Sequence, residues 1–319
     1  MTLPEEAVGS VMRPRGEGAL RGASWWARTR LREGGLAIAL LLPSLVLFGL
    51  FTFYPLIRSA YLGFFRSDPF GRASTYVGFE QYADVLGSEA FRESLRVTAL
   101  FALYTVPTGL VLGLTLALLA HQRLRGITIY RTIFSSTIAS SVAVASVMWL
   151  SLLNARIGVL NYVLREVGAD PIDWLTDPAW ALPAVSLTTI WLNLGFTCVV
   201  MLAGLQRIPE ELYEAVKVDG GGVLARFWHV TLPMLSPTLL FGVVVLTILA
   251  FQSFGQIDIL TGGGPLGETN VIVYSIYTDA FKDFNEGQAA AQATILFGII
   301  LAFTLAQLWL LERRVFYAE

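Results

Sequence analysis

Six long runs of apolar residues dominate the pattern along the chain, and none of them contains Lys, Arg, Asp or Glu. A helix needs about 20 apolar residues to cross the hydrocarbon core of a bilayer, and each run is long enough. The runs are continuous and do not alternate, so they predict helices and not the strands of a β-barrel. The sequence therefore predicts an all-α integral membrane protein with six transmembrane helices. We expect them at Leu36–Ile57, Val97–Ala120, Thr132–Leu153, Leu182–Leu205, Ser236–Ile257 and Ala289–Leu311.

The composition excludes several other classes of protein. Of the 319 residues, 55% are hydrophobic and 14% are charged, whereas about 25% of the residues of a soluble domain are charged. Disorder requires low hydrophobicity and high charge, and a net charge of -2 offers nucleic acid no basic surface. One cysteine, Cys198, and two distant histidines, His121 and His229, give no metal cluster. No nucleophile–base pair is apparent, so neither a catalytic site nor a metal site is expected.

The distribution of basic residues predicts how the chain is oriented. Lys and Arg are concentrated in the tails and in the loops after the second and fourth runs, which places both termini in the cytoplasm. The first run has no clear cleavage site, which favours a retained anchor over a signal peptide. The expected organisation is a cytoplasmic tail (1–35), an anchor helix (36–57), an external loop (58–96), a five-helix core (97–311) and a cytoplasmic tail (312–319).

The loop between the fourth and fifth runs, within 206–237, carries the strongest motif. Pro209 suits the first position of a helix, and acidic residues in the next turn suit its N-terminus. An apolar stripe of Leu212, Ala215 and Val216 follows, and we expect Gly220 to end the helix. A second short helix is expected from about Val223 to Val230, stopped by Pro233. The acidic helix with its apolar stripe fits a groove on a protein partner better than lipid headgroups.

This loop resembles the EAA loop of ATP-binding-cassette importer permeases. The matching residues are Glu214-Ala215-Val216, Asp219-Gly220 and Leu232-Pro233, with Val216 in place of the family's second alanine. The resemblance implies a coupling helix that docks into a cleft of a separate ATPase. The residues implied in coupling are Glu211, Glu214, Ala215, Asp219, Gly220, Leu232 and Pro233.

Two further segments resemble the carbohydrate branch of that family. Asp258 to Pro265, with Thr269 and Tyr274 to Tyr277, is similar to a signature that follows the fifth helix, and we expect its glycines to form an external turn. Segments 67–71 and 77–82 resemble the permeases of glycerol-3-phosphate importers. The implied cargo is a sugar-like solute, with glycerol 3-phosphate favoured over a disaccharide or oligosaccharide. A secondary transporter is a remote alternative, since the predicted helices contain no ionisable residue for ion coupling.

Polar residues inside the predicted helices are candidates for the solute path. Asn193, Gln252 and Gln256 carry amides, which are costly in hydrocarbon unless they find a partner or water. Bonding between helices and a polar translocation cavity therefore both remain open. The resemblance to maltose-type permeases implies that the path includes Thr189, Asn193, Phe196, Gln252, Ser253 and Gln256. Because the helices contain no Arg, a phosphate would be met by a partner or by residues at the helix ends.

The resemblance also implies the assembly and its location. It implies a heterodimer with a second permease, two copies of an ATPase and an external solute-binding protein, in the cytoplasmic (inner) membrane of a bacterium. The chain lacks the Gly-rich Lys-Ser/Thr motif of nucleotide-binding loops. We therefore expect no cofactor on this chain, and ATP with Mg²⁺ to be used by the partner ATPase.

Overall fold

The computed structural model describes residues 38–68, 73–122 and 125–312. The predicted cytoplasmic tail at 1–35 lies outside these residues, as does 313–319 of the second tail. The chain divides into two compact units, Met1–Arg58 and Ser59–Glu319. Helix α1 covers Ile38–Leu62 and includes a π-helical turn at Gly49–Phe53. Its apolar side chains are exposed, as expected of a helix whose solvent is lipid.

A small β-hairpin and a short helix begin the second unit, where only a loop was predicted. Strand β1 (Phe65–Ser67) pairs antiparallel with β2 (Ala73–Tyr76). Helix α2 (Glu80–Gly87) follows. The aromatic residues of 64–82 hold this region together: the rings of Phe65 and Tyr76 lie 5.4 Å apart across the strands.

Long helices form the body of the second unit. Ser88 caps helix α3 (Glu89–His121) by accepting a hydrogen bond from the Phe91 N–H, and Asp177 caps helix α7 (Pro178–Gln206) through the Ala179 N–H. These capping residues lie before the apolar runs, so the helices begin earlier than hydropathy alone predicts. The long helices are α3 (Glu89–His121), α7 (Pro178–Gln206), α9 (Val223–Phe251) and α12 (Glu286–Glu312).

The third predicted helix is broken into two pieces. Helices α4 (Ile127–Ser135) and α5 (Val142–Leu152) are bent by 104° at a short 3₁₀ turn and two extended serines. The turn is fixed to α7, because Thr137 Oγ1 accepts a hydrogen bond from the Gly195 N–H at 2.9 Å. Five described helices are long and apolar enough to cross a membrane, and the bent pair makes a sixth if it counts as one span.

Two expectations for α9 were wrong. The short helix predicted to stop at Pro233 instead continues to Phe251, because a π turn at Phe227–Thr231 ends just before the proline. Pro233 then lies in the first turn of the following α-helical segment, where a missing N–H is tolerated. The predicted fifth span, 236–257, also ends early: α9 stops at Phe251 and α10 (Gly255–Leu260) begins after a break.

Two further short helices belong to this unit. Helix α6 (Val159–Glu166) carries the buried Asn161, whose amide bonds to Ala155, Ile172 and Trp174 and so fixes the loop before α7. Helix α11 (Ile272–Tyr277) runs into a π turn at Thr278–Lys282. We call the end that carries the hairpin, α2 and α11 the hairpin end, and the end that carries 206–222 the motif end.

Candidate functional site

A cavity of about 260 Å³ lies where the break after α9 faces α7 and the start of α5. It brings together five of the six residues predicted for the solute path. Phe196 is half-buried and does not line this cavity. The residues that line it are Val142, Thr189, Leu192, Asn193, Leu249 and 252–256. We call it the mid-helix cavity.

Gln256 is the best-connected side chain of the mid-helix cavity. Its Nε2 donates to Thr189 Oγ1 at 3.1 Å and to Ser253 Oγ at 3.0 Å, and the residue is 6% exposed. Ser253 lies in the break between α9 and α10, and Gln256 lies in the first turn of α10. The sequence left two roles open for Gln256, a hydrogen bond between helices and a place in the wall of a polar cavity. In the structure Gln256 does both.

Asn193 faces two spaces in the interior. It lines the mid-helix cavity and also a void of about 10 Å³, the size of one water molecule, between α3, α7 and α9. Among the described residues that line these two spaces, none is ionisable. The lining offers amides and hydroxyls, which suit hydroxyl groups of a solute better than an anionic group.

Aromatic rings lead from the mid-helix cavity toward the hairpin end. Phe254 lines the cavity, and its ring lies 4.8 Å from that of Tyr277 and 6.1 Å from that of Tyr274. Tyr274 and Lys282 line a second cavity of about 450 Å³. Lys282 Nζ donates to the Tyr274 hydroxyl at 2.7 Å, and this bond raises the pKa of Lys282.

Asp279 is a half-buried carboxyl that lines this second cavity. Burial raises its pKa, against the opposing effect of a hydrogen bond from Gln292, and Gln288 Nε2 lies 3.4 Å from the same oxygen. Asp279 and Lys282 are not among the residues predicted from the sequence. Both residues follow the recognised segment 274–277 by a few positions, which could have indicated them. Charged residues are common in loops, however, so this position alone did not distinguish them.

The glycine-rich segment after α10 forms a turn, as predicted. Gly262 and Gly263 have positive φ angles, and the Thr269 hydroxyl closes the turn by donating to the Gly264 carbonyl at 2.6 Å. Thr269 is fully buried and also bonds to Thr261 at 2.7 Å. The segment is therefore a fixed wall of the second cavity.

The motif end contains the predicted helix. Helix α8 covers Glu210–Val218, and Pro209 is the residue before it, one position earlier than expected. Gly220 has φ +80°, the left-handed conformation that a glycine adopts after a helix. The exposed residues of the motif are Glu211, Glu214, Ala215, Asp219 and Gly220.

The inner face of α8 is attached to the helix bundle. Tyr213 and Val216 pack against the core cluster that includes Leu205 and Val230, and the Tyr213 hydroxyl is 3.2 Å from Thr231 Oγ1. The expected exposed stripe is thus divided: Leu212 and Ala215 are exposed, but Val216 is turned inward. Leu232 and Pro233 are half-buried at the start of the α-helical part of α9.

Comparisons with known proteins agree with these features. Residues 109–317 match the family described as "Binding-protein-dependent transport system inner membrane component". The sn-glycerol-3-phosphate transport system permease protein UgpA of Agrobacterium fabrum is 38% identical over 285 residues, which cover 88% of this chain and 96% of the relative. The sulfoquinovosyl glycerol transport system permease protein SmoG of the same organism is 34% identical over 291 residues, which cover 91% and 94%.

The fold also matches a solved structure. A chain of a bacterial ABC transporter involved in the import of the acidic polysaccharide alginate superimposes with a TM-score of 0.78 at 23% identity. The match covers 90% of this chain and 98% of that chain.

Proposed function

The chain belongs to the family of binding-protein-dependent transport system inner membrane components, and from this we propose that it is one permease subunit of an ATP-driven ABC importer. It has the fold of type I importer permeases and is a multi-pass inner-membrane protein. The observation that carries the proposal is the mid-helix cavity, in which Thr189, Asn193 and Gln256 meet at the break between α9 and α10.

We propose glycerol 3-phosphate as the favoured cargo. One relative is named for the transport of sn-glycerol 3-phosphate and another for that of sulfoquinovosyl glycerol, so a glycerol unit is common to both names. The amide and hydroxyl groups of the mid-helix cavity suit the hydroxyls of such a unit. The phosphate would be met by the second permease or by residues at the helix ends. A disaccharide or oligosaccharide is the alternative cargo.

Helix α8 is proposed as the element that couples this chain to the ATPase. Its outer face presents Glu211, Glu214 and Asp219 to a partner, and its inner face is held by Tyr213 and Val216. A helix exposed on one side and attached on the other transmits a displacement of the ATPase to α9. Closure of the ATPases would then tilt the membrane helices and expose the mid-helix cavity to each side in turn.

The proposed assembly has this chain paired with a second permease, two ATPase copies and an external solute-binding protein. The motif end and both termini face the cytoplasm, and the hairpin end faces the binding protein. The chain itself binds no cofactor, and ATP with Mg²⁺ is used by the ATPase subunits. The residues proposed for coupling are Glu211, Glu214, Ala215, Asp219, Gly220, Leu232 and Pro233.

Replacing Glu214 tests the coupling role. In the importer reconstituted in vesicles, we expect Glu214→Ala to lower uptake of sn-glycerol 3-phosphate by about tenfold or more, because a hydrogen bond to a charged group contributes roughly 1.5–3 kcal/mol. ATP turnover should no longer respond to the binding protein. The chain should fold normally, because Glu214 is exposed.

Glu268→Ala is the matched control, since Glu268 is an exposed acid at the hairpin end. It should leave the dependence of ATP turnover on the binding protein unchanged. Wild-type uptake by the Glu214→Ala importer would contradict the coupling role of α8.

A further inference from the structure

A separate cavity of about 360 Å³ lies at the hairpin end, between β1, α2 and the start of α12. Its lining is mostly polar, whereas a cleft between helices of a membrane protein is usually apolar. We call it the hairpin cavity. The polar residues that line it are Arg66, Gln81, Asp84, Ser88, Asn285 and Gln288.

Gln81 is the unusual member of this lining. It is 6% exposed, yet among the described residues its side-chain amide has no hydrogen-bond partner. The amide is not sealed in the protein, because Gln81 lines the hairpin cavity. Buried polar side chains in folded proteins normally have partners, so an amide that faces a cavity without one points to a ligand or water. It offers two N–H donors and one carbonyl acceptor to whatever enters.

The charges around Gln81 select the class of ligand. Arg66 Nη2 is 2.9 Å from Asp84 Oδ2 and 3.4 Å from Glu80 Oε1, so the guanidinium is already paired with two carboxylates. This group of three residues carries a net negative charge, which disfavours a phosphate or another anion. A neutral compound with several hydroxyl groups fits, because each hydroxyl both donates and accepts.

The walls of the hairpin cavity are fixed to one another. The Gly287 N–H donates to Ser67 Oγ at 2.9 Å, and a Cβ at Gly287 would lie only 2.0 Å from the Phe65 carbonyl oxygen. The start of α12 and strand β1 are therefore in direct backbone contact. Tyr82 holds α2 in place by donating to the Ala60 carbonyl at 2.8 Å. A ligand would thus meet polar groups that are already ordered, which lowers the entropic cost of binding.

The amides on α12 are ordered as well. Asn285 Nδ2 donates to Gln288 Oε1 at 2.8 Å, and Gln288 in turn reaches the Asp279 carboxyl. Asp279 lines the second cavity, beside the proposed solute path. The hairpin cavity is therefore connected by hydrogen bonds to the second cavity but is a separate space.

We propose that the hairpin cavity is a binding site for a neutral polyhydroxyl compound of the size of glycerol or a monosaccharide. Gln81 is its central ligand-binding residue, and Asp84 and Ser88 are further partners for hydroxyl groups. The volume falls within the range of about 300–1,000 Å³ that is usual for small-molecule sites. This site goes beyond the proposed function, since it lies outside the mid-helix cavity and disfavours an anionic cargo.

Binding of two neutral probes to the full-length chain tests this site. The chain is placed in phosphatidylcholine nanodiscs, which avoids detergents with sugar headgroups, and saturation-transfer NMR is recorded with glycerol and with methyl β-D-glucopyranoside. We expect a signal from at least one probe. Gln81→Leu should lower it about fivefold or more, because an amide of similar size is replaced by a group that cannot bond. sn-Glycerol 3-phosphate should compete weakly for this signal.

Gln256→Leu is the matched control, because it removes the same amide from the mid-helix cavity. It should leave the Gln81-dependent signal unchanged. If Gln81→Leu does not elute as the wild-type chain does, Gln81→Glu keeps the shape, removes both N–H donors and should give the same loss. The proposal is overturned if neither probe binds, if the Gln81 variants bind as the wild type does, or if only Gln256→Leu removes the signal. None of these outcomes bears on transport.

Discussion

Gln256 joins two helices and also lines the mid-helix cavity. Replacing it therefore tests whether its amide contributes more to the stability of the chain or to transport. Leucine fills a similar volume, and Thr189 keeps its own bond to the Val185 carbonyl. We therefore expect Gln256→Leu to lower the free energy of unfolding by less than about 1.5 kcal/mol. Uptake of sn-glycerol 3-phosphate should fall about tenfold if the amide bonds to the solute in the path. Uptake and thermal unfolding are measured on the same reconstituted importer.

Gln307→Leu serves as the comparison for Gln256→Leu. Gln307 Nε2 bonds to Thr247 Oγ1 at 3.0 Å between α9 and α12, so the loss of hydrogen bonding is similar. Gln307 does not line the mid-helix cavity. If both variants reduce uptake equally, the effect comes from helix packing, and Gln256 has no special role in the path.

The raised pKa of Asp279 predicts that the stability of the chain depends on pH. Burial raises its pKa in the folded chain, so the folded state binds the proton more tightly than the unfolded state. Its contribution is therefore fully present below the ordinary Asp pKa of about 3.9 and is lost as the pH rises through the folded value. We expect Asp279→Asn to raise the melting temperature relative to wild type, with a difference that grows from pH 4 to pH 7. Differential scanning fluorimetry measures it, and a difference independent of pH would contradict the assignment.

Five of the six residues predicted for the solute path line the mid-helix cavity, and their role in transport stays a prediction. Thr189 and Asn193 are four residues apart on α7 and share a face, so their proximity follows from helical periodicity. Phe196 follows Asn193 by three residues but does not line the mid-helix cavity. Ser253 and Gln252 lie three and four residues before Gln256, so their proximity to it also follows from spacing. The break after Phe251 does not, because apolar character alone does not indicate it.

The attachment of helix α8 to helix α9 can be tested at one hydrogen bond. The Tyr213 hydroxyl at 3.2 Å from Thr231 Oγ1 joins α8 to α9, and removing it should cost about 0.5–1.5 kcal/mol of local stability. Backbone amides at 210–218 should then exchange hydrogen several-fold faster in Tyr213→Phe, as measured by hydrogen–deuterium exchange with mass spectrometry. Leu212→Ala changes an exposed side chain on the same helix and should have little effect on the exchange. Equal exchange in wild type and Tyr213→Phe would show that the hydroxyl does not hold α8.

The elements differ in how far the sequence determines them. The motif helix follows from local signals, since its acidic first turn and Gly220 act within one segment. The breaks in the helices do not follow from local signals. The bend between α4 and α5, for example, is fixed by a hydrogen bond between Thr137 and Gly195, which are 58 positions apart. Pro233 was likewise expected to stop a helix, but the π turn before it allows α9 to continue through the proline. Hydropathy reports that a segment is apolar and not whether it is straight.

At the largest scale, the unit Ser59–Glu319 has two chemically different ends, and its proposed role requires that they face opposite compartments. The motif end presents an attached helix with an exposed acidic face, which is the surface proposed to engage the ATPase. The hairpin end holds ordered cavities with hydroxyl and amide groups and is the end proposed to face the solute-binding protein. Lys and Arg are concentrated in the segments assigned to the motif side, in agreement with the positive-inside rule.

Cysteine labelling tests this orientation directly, because the chain has one native cysteine and it is buried. In a Cys198→Ala background, we expect Glu268→Cys to react with a membrane-impermeant maleimide added to spheroplasts. Asp219→Cys should react only after the membrane is opened. Both positions are exposed, so a difference in labelling reports the side of the membrane and not burial. Elution of each purified variant at the same volume as the wild-type chain confirms that the labelled chain is folded. Labelling of Asp219→Cys from outside would reverse the orientation, and the exposed acids of α8 would then lie beyond the reach of any cytoplasmic ATPase.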